Sequence, residues 1–260
     1  MAIATKTDSF IAPTITQQSL YDGIKQAMSN AGYSTVFDEF TSGTDRIVIY
    51  AIVLDSTKTY GTTYLRVRIT SSFVVGQQLY STWNATAHAG TNPSTEYTST
   101  AFLNNVQINF TALNGSTEYK FVLIQQSALF YPLGYISPAN KPNWWDLNAF
   151  NYCFHLVDSV FFNFRSTSIT PYAGNNSTYD SSLNQSRMGT ANQQTNRRDI
   201  LPGILFYNQS NQGISGRSSD DLVMVAGSGA TRFDVLQAPG DNKQYLLLNP
   251  ASGGLAVRVV

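Results

Sequence analysis

One stretch gathers several residue types that could do chemistry together. Residues 151–170, NYCFHLVDSVFFNFRSTSIT, hold the single cysteine, Cys153, and one of the two histidines, His155, followed by Asp158 and Ser159. A thiol and an imidazole two positions apart could be a nucleophilic pair or part of a zinc site. Zinc requires three or four ligands at workable spacing, and the other histidine, His88, is far upstream. A Cys–His pair must lie within hydrogen-bond reach, whereas alternate residues on a strand are about 7 Å apart. Taking Asp158-Ser159 as a two-residue hairpin loop sets Val157 against Val160, His155 against Phe162 and Cys153 against Phe164. Directly opposite residues share a face, so this register predicts a covered hairpin in which His155 is a core histidine and Cys153 a buried, inert thiol.

The remaining chemical candidates are weaker. Ser228 in Ala226-Gly227-Ser228-Gly229 lacks the glycine two residues earlier that a nucleophile elbow requires, so a hairpin turn is expected there. Asp220-Asp221 is not followed by alternating oxygen ligands for a cation, and reads as a solvated turn. The three glutamates, Glu39, Glu96 and Glu118, nominate no acid/base pair across a cleft. No phosphate loop or dinucleotide fingerprint occurs. The sequence therefore predicts no catalytic residue, no metal site and no cofactor, and a chain that is not an enzyme. Binding potential concentrates in two places. Trp144-Trp145 sits in SPANKPNWWDLN, residues 137–148. Loop aromatics can anchor a protein interface, stack on a sugar ring or plug a junction between domains. Phe10 and Ile11 lie in the first fifteen residues, which read as an N-terminal arm. Such an arm gains order by packing elsewhere: either these two side chains bury against an adjacent subunit, or the arm lies across its own β-domain.

Composition narrows the partners. Of 260 residues, 12% are charged, with 16 basic and 16 acidic side chains, while 13% are aromatic. No basic stripe exists to neutralise phosphates, which excludes nucleic acid as the expected partner. Near-zero charge offers little repulsion to self-association, and a surface of Ser, Thr, Asn, Gln and Tyr suits neutral partners such as protein faces or glycans. One cysteine allows no intrachain disulfide. The sequence MAIATKTDSFIAPTITQQS has no apolar secretory core, and no apolar run reaches the length of a membrane span; no membrane association is expected.

These residues need elements to hold them. Leu20, Ile24, Ala27 and Met28 recur at helical spacing in TQQSLYDGIKQAMSNAG, which predicts one short amphipathic helix capped by Thr16 or Ser19 and ended at Gly32. The rest reads as strands: Arg46–Leu54, apolar on both faces; Tyr64–Ile69, with Arg66 and Arg68 opposite Leu65, Val67 and Ile69; then Phe73–Tyr80, Ala101–Phe110 and Tyr119–Gln125. Ala87–Thr100 reads as a polar loop and Asn114-Gly115 as a tight turn. Residues 166–199 are almost wholly polar; they cannot bury enough apolar area to order themselves, and order on a neighbour is expected. Short strands near Ile204–Tyr207, Leu222–Ala226, Arg232–Gln237, Tyr245–Leu248 and Leu255–Val260 close the chain. The fold class is therefore mainly β, with antiparallel, sandwich-like sheets and one N-terminal helix. The expected organisation is an arm over 1–15, a helix-plus-sheet domain over 16–136, a linker over 137–148, and a second β-rich region over 149–260 that could pack into the same domain.

The order of SLYDGIKQAMSNAGY, the hairpin RIVIYAIVLDSTKTYGTTYLRVRI, the later YCFHLVDSVFFNFR and the polar 170–200 region resembles structural proteins of tailed bacteriophages, especially tail and baseplate components. The resemblance is one of layout across most of the chain and transfers no functional residue. It implies a non-enzymatic, homo-oligomeric virion protein, assembled in the host cytoplasm and docked to other virion structural proteins. A glycan-binding adhesin or receptor-binding module of a tail fibre, using Trp144 and Trp145, is the alternative.

Overall fold

The computed structural model describes residues 3–53, 62–115, 118–137, 139, 154–157, 163–166, 191, 197–208, 213–237, 240, 242–250 and 254–260. The helix α1 forms where the apolar spacing predicts it, over Gln17–Asn30. Thr16 is its N-cap, and Thr16 and Ser19 exchange side-chain and backbone hydrogen bonds in a capping box. Leu20, Tyr21, Ile24, Ala27 and Met28 form the buried stripe. The chain leaves the helix through Gly32 at φ +88°, a left-handed conformation that suits glycine.

In chain order the strands before the expected linker are β1 (Thr5–Ile11), β2 (Val36–Ser42), β3 (Asp45–Val53), β4 (Thr62–Ile69), β5 (Val75–Tyr80), β6 (Thr82–Asn84), β7 (Ala89–Thr91), β8 (Tyr97–Thr98), β9 (Ile108–Asn114), β10 (Tyr119–Gln126) and β11 (Leu129–Ile136). They are followed by β12 (Phe154–Val157), β13 (Asn163–Ser166), β14 (Ile200–Pro202), β15 (Leu205–Asn208), β16 (Gly213–Arg217), β17 (Leu222–Val225), β18 (Val235–Gln237), β19 (Gln244–Leu247) and β20 (Gly254–Arg258). The described sheets are antiparallel throughout.

Three sheets carry the architecture. The central one has the order β1-β9-β10-β11-β12-β13, the second β2-β3-β4-β5-β8, and the third β14-β17-β20-β19-β18. One core fills the space between α1, the second sheet and the central sheet, from Val48, Tyr50, Leu65 and Val67 to Phe110, Val122, Ile124 and Leu133. The opposite face of the central sheet, with Leu113, Phe121 and Leu123, packs against Leu222, Met224, Leu246 and Val257 of the third. The period of two explains this directly: along β10, Phe121 and Leu123 point to one core while Val122 and Ile124 point to the other. A strand apolar at every position is thus a strand covered on both faces.

Two buried glutamines join elements that backbone pairing leaves apart. Gln77 on β5 is 0% exposed; its amide donates to the Pro132 carbonyl at 2.7 Å, and its carbonyl accepts from Gly134 N–H at 3.1 Å. β12 pairs with β11 only at Tyr135 and Ile136, so Gln77 serves backbone groups that the described part of that ladder does not reach. Gln126 likewise binds the Leu103 and Val106 carbonyls and the Leu103 N–H. That fixes residues 101–107 as an ordered loop.

Several sequence expectations change here. The first fifteen residues are not a free arm, because β1 pairs along its length with β9, from Thr5↔Asn114 to Ile11↔Ile108. Residues 101–107 are not strand; β9 starts at Ile108, since Gln126 takes up the backbone groups a ladder would use. Ala87–Thr100 contains the short strands β7 and β8. β2, whose alternation is broken by a bulge between Val36 and Asp38, has no counterpart in the expected elements. The later hairpin exists, but in a different register: His155 pairs with Arg165, Leu156 with Phe164 and Val157 with Asn163. Asp-Ser lacks the positive-φ preference of a two-residue hairpin turn, and the observed pairing leaves five residues, 158–162, between the strands. This moves the partner strand by three positions and exchanges its faces. Because β12 and β13 continue the central sheet, that sheet contains strands from both sides of the expected linker. Cys153, Trp144, Trp145, all of 140–148 and nearly all of 167–196 lie outside the described residues.

Candidate functional site

The two arm residues part company in the structure. Strand alternation sends neighbours to opposite faces. Ile11 turns inward against the core of α1 and the second sheet, where a Cβ on Gly23 would sit 2.5 Å from its Cδ1; the missing side chain on the helix makes its seat. Phe10 turns the other way and is 65% exposed. In its row across the central sheet, Phe10 pairs with Asn109 and Asn109 with Gln125, two polar residues that extend no apolar core beneath it. Ile11 is therefore half-buried against this subunit's own core, and of the two Phe10 is the one left largely exposed to another chain.

β1 ends the central sheet, and no described strand pairs with its outer edge. At its start, Ala4 N–H donates to the Arg258 carbonyl at 3.2 Å, tying the strand to the third sheet. Lys6 and Asp8 share the face of Phe10; they form an ion pair, and Asp8 also accepts from Thr111 Oγ1 at 2.8 Å. An open strand edge bearing an exposed aromatic and two opposite charges can bind another strand through its main chain and select it through its side chains.

The upstream histidine has the more defined chemistry. Asn84 Oδ1 accepts from the N–H groups of Thr86 and Ala87 at 2.9 and 3.0 Å, building the turn between β6 and β7. His88 follows at φ +50° and stacks on Phe40 at 4.2 Å. Its Nδ1 lies 2.9 Å from Asp38 Oδ2, and Trp83 Nε1 donates to the same oxygen at 2.8 Å. The Asp38 side chain is 6% exposed and that of His88 45%. Burial pushes the Asp38 carboxyl up, but the His88 and Trp83 hydrogen bonds outweigh it and hold the group below its ordinary value. An Asp–His pair can orient a general base, yet this carboxylate spends one oxygen on two donors from a single hairpin. The arrangement is a clasp of β6–β7 onto β2. Asp38→Asn is expected to lower stability by about 1–2 kcal/mol at neutral pH. Because the folded-state value is depressed, the contribution is complete above pH ~4 and disappears as pH falls through the folded value. Thermal melts of both proteins from pH 7 to 2.5 check this: the gap closes on acidification.

On the outer face of the second sheet, Arg68 binds Asp45 at 2.9 Å and Glu96 at 2.8 Å, and Arg66 Nη1 donates to Gln78 Oε1 at 3.1 Å. Lys120 lies in a cleft of about 250 Å³ with Tyr33, Ser34, Thr35 and Tyr135. Burial pushes its amine down, and the amine donates to the Gly32 carbonyl at 2.6 Å, compensating the negative end of α1. Asp220 pairs with Arg217, while Asp221 is buried and lies 3.5 Å from Arg258. The expected solvated turn at Asp220-Asp221 is thus half wrong: Asp221 is paired inside. Ser228 lies in a turn closed by Ala230 N–H to Gly227 O at 3.0 Å, which links β17 and β18 rather than neighbouring strands of a hairpin. Among the described residues, no three His, Cys, Asp or Glu side chains converge in a way that could hold a metal ion, and no helix is long and apolar enough to cross a membrane.

No protein-family profile matches this sequence, and no curated protein matches it.

Proposed function

We propose that this chain is a non-enzymatic structural component of a tailed-phage virion, in the tail or baseplate, that works by ordered self-association and docking to other virion proteins. The observation that carries the reading is the open β1 edge with Phe10 65% exposed on it. An isolated domain gains nothing from a large aromatic on an unpaired edge, whereas an assembly gains a desolvated anchor. Three features support it. The described polar side chains with defined chemistry are engaged in internal clasps, as Asp38, Arg68 and Gln77 are. The net charge of zero removes long-range repulsion between copies. The order of sequence segments described above resembles that of such virion proteins.

Peptide mass spectrometry of purified particles from the phage encoding the chain tests the reading. The expected result is a stoichiometric virion protein that stays with the tail fraction when particles are disrupted. Presence in infected-cell lysate but not in purified particles overturns it.

A further inference from the structure

We infer that β1 is the seam of a two-fold homodimer, pairing antiparallel with β1 of a second copy in the register that sets Thr7 opposite Thr7 of the partner copy. This rests on the assembly reading and names the partner as another copy of this chain.

The argument is one of self-complementarity. A two-fold axis perpendicular to a sheet makes an isologous edge pairing: residue i faces residue j, and j faces i. The same faces of both sheets stay together, so even positions of β1 face even positions. With Thr7 on the axis, Lys6 of each copy faces Asp8 of the other, giving two opposite-charge pairs that also touch the Lys6–Asp8 pair already present within each chain. Four charges then alternate around the axis. Sliding by one allowed step in either direction sets Lys6 against Lys6 or Asp8 against Asp8, and like charges directly opposite are unfavourable. Of these three registers, only the one centred on Thr7 sets opposite charges against each other.

Edge lysines commonly guard a sheet against pairing. A guard of one sign repels every copy of itself. The Lys6–Asp8 alternation does the reverse, repelling shifted registers and accepting one. Thr5, Thr7 and Ser9 are small and polar and place no bulk on the other face. Phe10 faces position 4 of the partner, a small alanine that belongs to the core between the central and third sheets. The register thus brings the exposed ring to the rim of an apolar core, the cover it lacks within its own chain. In this register positions 5–9 of the strand Thr5–Ile11 face each other, a seam shorter than the usual stable interface, so the dimer is expected to dissociate reversibly at low concentration.

Sedimentation of the full chain over a concentration series tests this, with circular dichroism as the check on folding. Wild type is expected to shift from monomer to dimer. Lys6→Asp sets two carboxylates directly opposite each other on both sides of the axis and should weaken the dimer on the order of tenfold. The swap Lys6→Asp/Asp8→Lys should restore it. As a second readout, Thr7→Cys in a Cys153→Ser background should form an interchain disulfide on mild oxidation, whereas Thr5→Cys, about 13 Å from its copy in this register, should not. A strictly monomeric wild type, an unaffected Lys6→Asp dimer, a swap that does not rescue, or equal crosslinking at positions 5 and 7 each overturns the seam. None of these results bears on whether the chain is found in virions, so the two proposals fail separately.

Discussion

Gly134→Ala is expected to prevent stable folding. Gly134 sits in β11 at φ +131°, a conformation L-residues rarely adopt, and a Cβ there would lie 2.1 Å from the Lys120 carbonyl oxygen of the adjacent strand. That neighbour is backbone and cannot rotate away. Relief requires β10 and β11 to separate, and these strands form the middle of the sheet shared by two cores. Backbone strain and the clash together should exceed about 4 kcal/mol, at the extreme of single substitutions. The measurement is soluble yield and, for any soluble fraction, denaturant midpoint. Gly43→Ala is the control. Gly43 also has positive φ, +61°, but nothing lies within 4 Å of a Cβ, so only strain of about 1 kcal/mol is expected. Equal behaviour of the two variants would show that strain alone governs and that the Lys120 contact is unimportant.

Gln77→Leu should be the next most damaging change. Leucine fills a similar volume and suits the surrounding core, so a purely hydrophobic view predicts little change or a gain. The hydrogen bonds predict the opposite. The Pro132 carbonyl and Gly134 N–H would lose their Gln77 partner in a buried place, at about 1–3 kcal/mol each. A loss of about 2–5 kcal/mol corresponds to a melting temperature lower by roughly 5–15 °C for a chain of this size. Gln18, bonded to Asp22 on the exposed side of α1, provides the contrast: Gln18→Leu should change stability by less than about 0.5 kcal/mol. A Gln77→Leu protein as stable as wild type would mean that β11 finds another partner.

Together these expectations separate what local sequence carries from what it cannot. The helix was legible because its signals are local: four apolar residues at helical spacing, a capping residue at Thr16 or Ser19 and a glycine at the exit. β4 was legible for the same reason, since Leu65, Val67 and Ile69 alternate with tyrosine and arginine. The mainly β class, the antiparallel sheets and the one helix among the described residues follow from such patterns. β1 was not legible, because TKTDSFI has little apolar signal and becomes a strand by pairing with β9, about a hundred positions away. The hairpin of β12 and β13 shows the limit most clearly. Its existence could be read, but its register could not, because a weak turn leaves pairing to be decided by the rest of the sheet.

The candidate sites divide in the same way. Phe10 and Ile11 were singled out as a pair from their composition, and pairing alone decided that Ile11 packs against the core while Phe10 stays at the surface. Asp38, Trp83 and His88 carry no spacing signal, since they come from β2, β6 and the turn after it and meet only when the β6–β7 hairpin folds over the second sheet. The low charge, the helix and the alternation of polar and apolar positions were determined by sequence alone, because each depends on neighbours within a few residues. The tertiary structure decided the edges, the registers and the buried amide bonds. Each of those depends on which distant backbone groups are left without a partner when the sheets close.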